Sequence, residues 1–254
     1  MTVNIRTIQR ANIPVLEVVP CESENHPRPL ILFYHGFTSA KEHNLHYAYR
    51  LARNGYRVLL PDAIYHGDRQ AHLSHRFELY FWNIVIQTIE EMDAIVADVR
   101  EDVGILDDRI GVFGTSMGAI ITLGALRRYP WVRAGASLMG APDYEAFAQW
   151  QLDGERTRLG REPLSIDEKE ATMNQLRKYS IVGHLEDVKH IPFFFWHGYE
   201  DNVVPNHWAQ ECYNRWKEIH IDPDALVWIG EPGVGHKVSR TGFLKVTDWM
   251  GKHV

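Results

Sequence analysis

The sequence predicts an α/β fold with a mostly parallel central sheet and helices on both faces. Three observations predict it. Short apolar runs recur along the chain, they are unbroken rather than alternating, and helix-period segments separate them. Unbroken runs fit strands covered on both faces. Strands alternating with helices build βαβ units with right-handed crossovers.

The elements follow in order. The opening, VNIRTIQRANIPVLEVVP, reads as an N-terminal antiparallel hairpin leading into the sheet. LILFYHG (30–36) is a strand, residues 41–54 a helix, and YRVLLPD (56–62) a strand. A long helix is expected over 74–103, with Ser74 as its N-cap. One face of it carries Phe77, Tyr80, Phe81, Ile84, Thr88, Met92, Ile95 and Val99. RIGVFGTS (109–116) and VRAGASLMG (132–140) are strands on either side of a helix over 117–129. IPFFFWHG (191–198) and ALVWIGE (225–231) are the last strands, each followed by a helix, over 205–219 and 239–251.

One stretch breaks the alternation. Asp143 to His190 is too long for a single crossover. It reads as a small helical cap insertion, about 143–190, within a single domain spanning 1–254, and GREP (160–163) breaks it internally. Tyr144, Phe147 and Trp150 recur there at spacings of three. A helical apolar stripe usually faces a core, so anchoring the insertion is the favoured role. Lining a substrate pocket is the other, and both can hold.

Composition excludes several function classes. The chain has 254 residues, 45% of them hydrophobic and 24% charged, with a formal net charge of −6. Acids and bases are mixed, which argues against a nucleic-acid or anionic-membrane surface. The start lacks a charged segment followed by an apolar core, so no signal peptide is expected. No window approaches the ~20 apolar residues that span a bilayer. Cys21 and Cys212 make neither a disulfide framework nor a zinc cluster, and a reduced, cytoplasmic setting is expected.

The segment GVFGTSMGAII (111–121) carries the chemistry. Ser116 stands between Gly114 and Gly118 where a strand turns into a helix. Ligands bind outside the carboxyl ends of strands in such sheets. A serine there has its hydroxyl pushed over the sheet edge, and only small residues two places away avoid collision. The Met117 N–H then points from a helix N-terminus to where an oxyanion can sit. The bland alternative is close strand–helix packing, with Ser116 as a simple N-cap.

Context weighs against that alternative. A serine needs a base, and the base needs a group that fixes its tautomer. In this topology the acid comes next in the chain, then the histidine. Asp201, in FWHGYEDNVVP, falls just past a strand end, with Glu200 beside it pointing elsewhere. His236, in GEPGVGHKVS, sits on a glycine-rich loop before the last helix, where Gly233 and Gly235 let the loop bend back. Asp222 and Asp224 read as a turn, His207 and His220 fall in or at the end of a helix, and His253 is terminal. In LILFYHGFTSAKE, His35-Gly36 close a strand, Gly36 allows close approach, and the Phe37 N–H is the natural second oxyanion donor.

These stretches, with VLLPDAIYHGDR, resemble the α/β-hydrolase superfamily over residues 33–239. More narrowly, the sequence resembles small bacterial serine esterases of the prolyl-oligopeptidase and dienelactone-hydrolase-like branch. The resemblance implies Ser116 as nucleophile, Asp201 as acid, His236 as base, and Phe37 and Met117 as oxyanion amides. It departs from the dienelactone hydrolases by a serine where they have cysteine, which points to ordinary ester hydrolysis. No long extra domain like that of true oligopeptidases is expected either, which makes peptide cleavage the less expected activity.

The expected activity is a carboxylesterase acting on small, mostly uncharged acyl esters through an acyl-enzyme, with no metal or organic cofactor. Thioesterase, lactonase and aminopeptidase readings share the same triad, and a non-catalytic binding protein on this scaffold is the reading from another class. Trp82, Tyr144 and Trp150 are candidate pocket residues, although a core-facing role is the default for Trp82. HGDRQAHLSH places His66, His72 and His75 near Asp68, and His43 and His46 share a helical face. Exposed loop histidines are expected in the first case rather than metal ligands. Oligomeric state is not derivable, and the apolar residues of 144–150 are the first surface to suspect.

Overall fold

The computed structural model describes residues 2–71 and 77–254. Ser74, His72 and His75, singled out above, lie outside the described residues. Among the described residues eight strands form one sheet: β1 (Val3–Arg10), β2 (Ile13–Pro20), β3 (Arg28–Tyr34), β4 (Arg57–Pro61), β5 (Ile105–Thr115), β6 (Ala134–Leu138), β7 (Phe193–Gly198) and β8 (Leu226–Glu231). Their spatial order is β1-β2-β4-β3-β5-β6-β7-β8. β1 pairs antiparallel with β2, and β2 antiparallel with β4; every later pairing is parallel. The expected hairpin and the mostly parallel sheet are both present.

Side chains leave a strand alternately on its two faces, and the core divides accordingly. Leu30, Leu32, Tyr34, Ile110, Val112, Phe193 and Phe195 join one buried cluster. Ile31, Phe33, Phe113, Phe194 and Trp196 join the other. Two helices, α1 (Leu45–Ala52) and α8 (Arg240–His253), cover the second cluster with Tyr47, Leu51, Val246 and Met250. On the opposite face, α2 (Phe81–Asp102), α3 (Met117–Arg128) and α7 (His207–Lys217) cover the first. Both faces need cover because both are apolar.

The long helix starts later than its periodicity predicts. A 3-10 turn, Phe77–Tyr80, precedes α2, and Ile84, Thr88, Met92, Ile95 and Val99 form its buried face. The stretch from 143 to 190 is helical throughout its main parts: α4 (Tyr144–Leu159), α5 (Ile166–Leu176) and the short α6 (Leu185–Val188). Asp143 caps α4 by accepting from the Ala146 N–H. Gly160, at φ +67°, ends it in the left-handed conformation that glycine adopts without steric penalty. Ser165 and Glu168 then start α5 with a reciprocal capping box. The GREP break is therefore a glycine stop followed by a fresh cap.

Candidate active site

The carboxyl ends of β3, β5 and β7 deliver the site. β5 runs into α3 through Ser116, whose backbone sits at φ +53°, ψ −115°. That region is strained for a residue with a Cβ, at a cost of about 1–3 kcal/mol. The surroundings hold it there: its N–H donates to the Leu138 carbonyl at 2.8 Å, and its carbonyl accepts from Ala119 and Ile120. The turn leaves room only for glycine nearby. A Cβ on Gly118 would collide with the Tyr34 backbone, and one on Gly114 would lie 2.5 Å from the Tyr34 oxygen. Ser116 occupies the N-cap position of α3, yet its side chain makes no capping bond.

The hydroxyl turns instead to His236. Ser116 Oγ lies 2.9 Å from His236 Nε2, and His236 Nδ1 lies 2.7 Å from Asp201 Oδ2. The carboxylate is fixed in turn. Its Oδ1 accepts from the Val203 and Val204 N–H groups, both at 2.9 Å, and its Oδ2 lies 3.3 Å from His197 Nε2. Burial alone would raise the carboxyl pKa. The contact with His197, whose Nε2–H donates to the Val204 carbonyl at 2.8 Å, and the hydrogen bonds from His236 and the Val204 N–H outweigh burial and hold it well below the usual carboxylate range. Asp201 is therefore an anion that orients the His236 ring with Nδ1 protonated and Nε2 free to accept.

The loop bearing His236 reaches the site by lying against the end of β7. Tyr199 N–H donates to the Glu231 carbonyl and Glu200 N–H to the Val234 carbonyl. Gly233 supplies the positive φ (+74°) that the loop requires. Gly235 does not: a Cβ there would meet nothing closer than 3.6 Å. The glycine that close approach demands is Gly198, where a Cβ would strike the Val234 oxygen.

The turn after β3 lies beside the serine. A Cβ on Gly36 would sit 3.5 Å from Ser116 Cβ, an ordinary contact, so Gly36 is not forced by crowding as the sequence suggested. His35 fixes the turn from within. Its Nε2 accepts from the Ala63 N–H at 3.1 Å, so the proton is on Nδ1, which donates to the Gly36 carbonyl at 2.9 Å. Burial pushes the His35 pKa down to about 4, so the ring stays neutral. Met117, whose N–H opens α3, has its side chain fully buried in the core.

The candidate pocket residues separate. Tyr144 is fully buried and its hydroxyl donates to the Ile120 carbonyl at 2.5 Å, so it anchors α4 to α3 and has no surface with which to line a pocket. Trp82 is half-buried, packs on Tyr144 and donates its Nε1–H to Gln151 at 2.9 Å. Trp150 is 41% exposed, stacked on Phe147 and edge-on to Trp208. An aromatic row that sequence reading did not assemble begins at Phe37: Phe77 stacks on it at 4.5 Å, Phe81 meets it edge-on at 5.5 Å, and Phe147 continues from Phe81 at 6.2 Å.

Sequence reading also missed His197 and misplaced His66. His66 is not an exposed loop residue but only 2% exposed, with both ring nitrogens engaged. Below it, the buried Lys41 ammonium pairs with Asp62 at 2.6 Å and Asp68 at 2.7 Å. A signal for these histidines was present. The chain writes an aromatic or tyrosine followed by His-Gly three times, in FYHG, IYHG and FWHG, and all three histidines are buried beside this edge of the sheet.

Comparison with known proteins accords with this architecture. The chain is 40% identical to the Bacillus subtilis (strain 168) protein named "Putative esterase YitV", covering 94% of this chain and 95% of the relative. The chain belongs to the α/β-hydrolase superfamily, in one family with that protein. It is also 34% identical to "Esterase YjfP" of Escherichia coli (strain K12), over 99% of this chain and all of the relative. Residues 25–148 match the family described as "Serine aminopeptidase, S33". The hydrolase fold is shared with TT1662 from Thermus thermophilus, at TM-score 0.76, 20% identity, and 98% and 99% coverage of the two chains. It is shared too with a Pyrococcus horikoshii acylaminoacyl peptidase, at TM-score 0.70 and 17% identity, where it covers all of this chain but 40% of that one. Among the described residues of this α/β-hydrolase, no helix is long and apolar enough to cross a membrane.

Proposed function

We propose that this protein is a serine carboxylesterase for small, uncharged acyl esters. The observation that carries the reading is the relay from Ser116 through His236 to Asp201, with links of 2.9 and 2.7 Å. The kinship with proteins named as esterases supports the reaction class. Ser116 Oγ attacks the acyl carbonyl while His236 Nε2 takes its proton. The N–H groups of Phe37 and Met117 hold the oxyanion of the tetrahedral intermediate. His236 then returns the proton to the leaving alcohol, and water repeats the cycle on the acyl-serine. Asp201 stays ionised and stabilises the transient imidazolium.

The description of the matching family raises aminopeptidase activity as a second reading. That reaction calls for an anionic group to hold a substrate ammonium. Asp201 cannot supply it, because its carboxylate is already taken up by the Val203 and Val204 N–H groups and by His236. The ester reading is preferred on the kinship with two proteins named as esterases over nearly the whole chain.

Hydrolysis of p-nitrophenyl esters from acetate to dodecanoate, by wild type and Ser116→Ala, tests the proposal. Wild type is expected to turn over the short esters, with the variant at least about 1,000-fold slower. A wild type inert toward the whole series and toward a fluorophosphonate probe would refute it. Cleavage of an aminoacyl p-nitroanilide in preference to esters would favour the second reading.

A further inference from the structure

His66 takes part in no step of the proposed reaction, yet it is buried and fully engaged. The Thr38 N–H donates to its Nε2 at 3.3 Å. A nitrogen that accepts carries no proton, so the proton is on Nδ1, which donates to the Ile64 carbonyl at 2.9 Å. One neutral tautomer satisfies both contacts. The ring is walled by His35, Phe37 and Phe77, with centroids 4.9, 5.6 and 5.0 Å away. Burial pushes its pKa down, against the Ile64 bond and the charge of Asp62, which favours the neutral form.

What the ring touches is the turn that carries Phe37. Ser39 N–H donates to the Gly36 carbonyl at 3.1 Å and closes a four-residue turn. Thr38, its third residue, sits at φ +63°, a value that such turns normally give to glycine and that a β-branched residue rarely adopts. A strained residue of this kind persists only where its surroundings over-determine it. The Gly36 carbonyl is drawn inward by Ser39 N–H and His35 Nδ1–H. In a trans peptide the N–H points opposite to the carbonyl, so the Phe37 N–H is turned the other way. Relaxation of Thr38 to negative φ would rotate the peptides on which that aim depends.

We propose that His66, as the Nδ1–H tautomer, is a positioning residue for the oxyanion hole: by accepting the Thr38 N–H it holds the strained turn that aims the Phe37 amide. The proposal rests on the serine-esterase reading. Kinetics of p-nitrophenyl acetate hydrolysis by wild type, His66→Phe and His66→Gln test it. Phenylalanine keeps a ring in the aromatic nest but offers no acceptor, whereas glutamine offers its Oε1 at similar reach. His66→Phe is expected to lose roughly 10- to 100-fold in kcat with KM within about twofold, and His66→Gln to recover most of the loss. Long-range nitrogen–proton NMR spectra of histidine-labelled wild type should show His66 protonated at Nδ1. If His66→Phe does not fold, the glutamine variant and the tautomer spectrum decide. An active wild type whose folded phenylalanine variant keeps full kcat, a glutamine variant as impaired as the phenylalanine one, or an Nε2–H tautomer overturns the proposal. A wild type inert toward esters and fluorophosphonate sinks the esterase reading, and the oxyanion role of His66 falls with it.

Discussion

The carbonyl oxygen of Val234 occupies the space that a Cβ on Gly198 would need. Gly198 is the last residue of β7, and Val234 stands two residues before His236. The loop that brings the imidazole to Ser116 therefore lies directly on the backbone of the strand that leads to Asp201. Gly198→Ala forces the two apart. Misplacing a reacting group by about 1 Å costs on the order of 100-fold in rate. The expected outcome is a kcat/KM for p-nitrophenyl acetate lowered about 10- to 100-fold in a protein that still folds. Wild-type kinetics in this variant would show that the loop position is not set there.

Asp201 links the site to stability. Its pKa is depressed in the folded state, so its contribution is fully present above the unfolded carboxyl value of about 3.9 and is lost as pH falls through the folded value. The stability difference between wild type and Asp201→Asn, measured by urea unfolding, should shrink as pH falls below about 4. At pH 7 the same variant should lose about 10,000-fold in kcat, as expected when the imidazole no longer has its anionic partner. A difference that stays undiminished well below pH 4 would contradict the bonding described.

Tyr144 provides the control for the pocket. Its hydroxyl reaches the Ile120 carbonyl and nothing of the ring is exposed. Tyr144→Phe should lower stability by about 0.5–1.5 kcal/mol, a shift in Tm of about 1–6 °C. Its kinetics toward every ester of the series should match wild type. A change in chain-length preference would return Tyr144 to the substrate pocket.

Much of this was legible in the sequence because it follows from local physics. Unbroken runs such as those of β3 and β7 announced a sheet covered on both faces. Gly114 and Gly118 around Ser116 announced a turn with no room for side chains, and the Tyr34 backbone is what fills that room. Asp201 and His236 were legible from chain order and strand ends. The helices of 143–190 were less so, since their charged surface weakens the apolar period. His66 was misread because its burial depends on rings contributed by Phe37 and Phe77, which periodicity places on separate elements.

By itself, then, the sequence determined the alternation of strands and helices, the strained serine turn and the types of residue available to act with it. Each is dictated by backbone sterics or by side-chain period within one element. Only the tertiary structure decided which residues meet: that Val234 packs on Gly198, that His197 lies beside the Asp201 carboxylate, that Tyr144 faces the core, and that His66 accepts from Thr38. The physical reason is that a hydrogen bond or a steric limit between residues far apart in the chain exists only once the sheet has set their elements side by side.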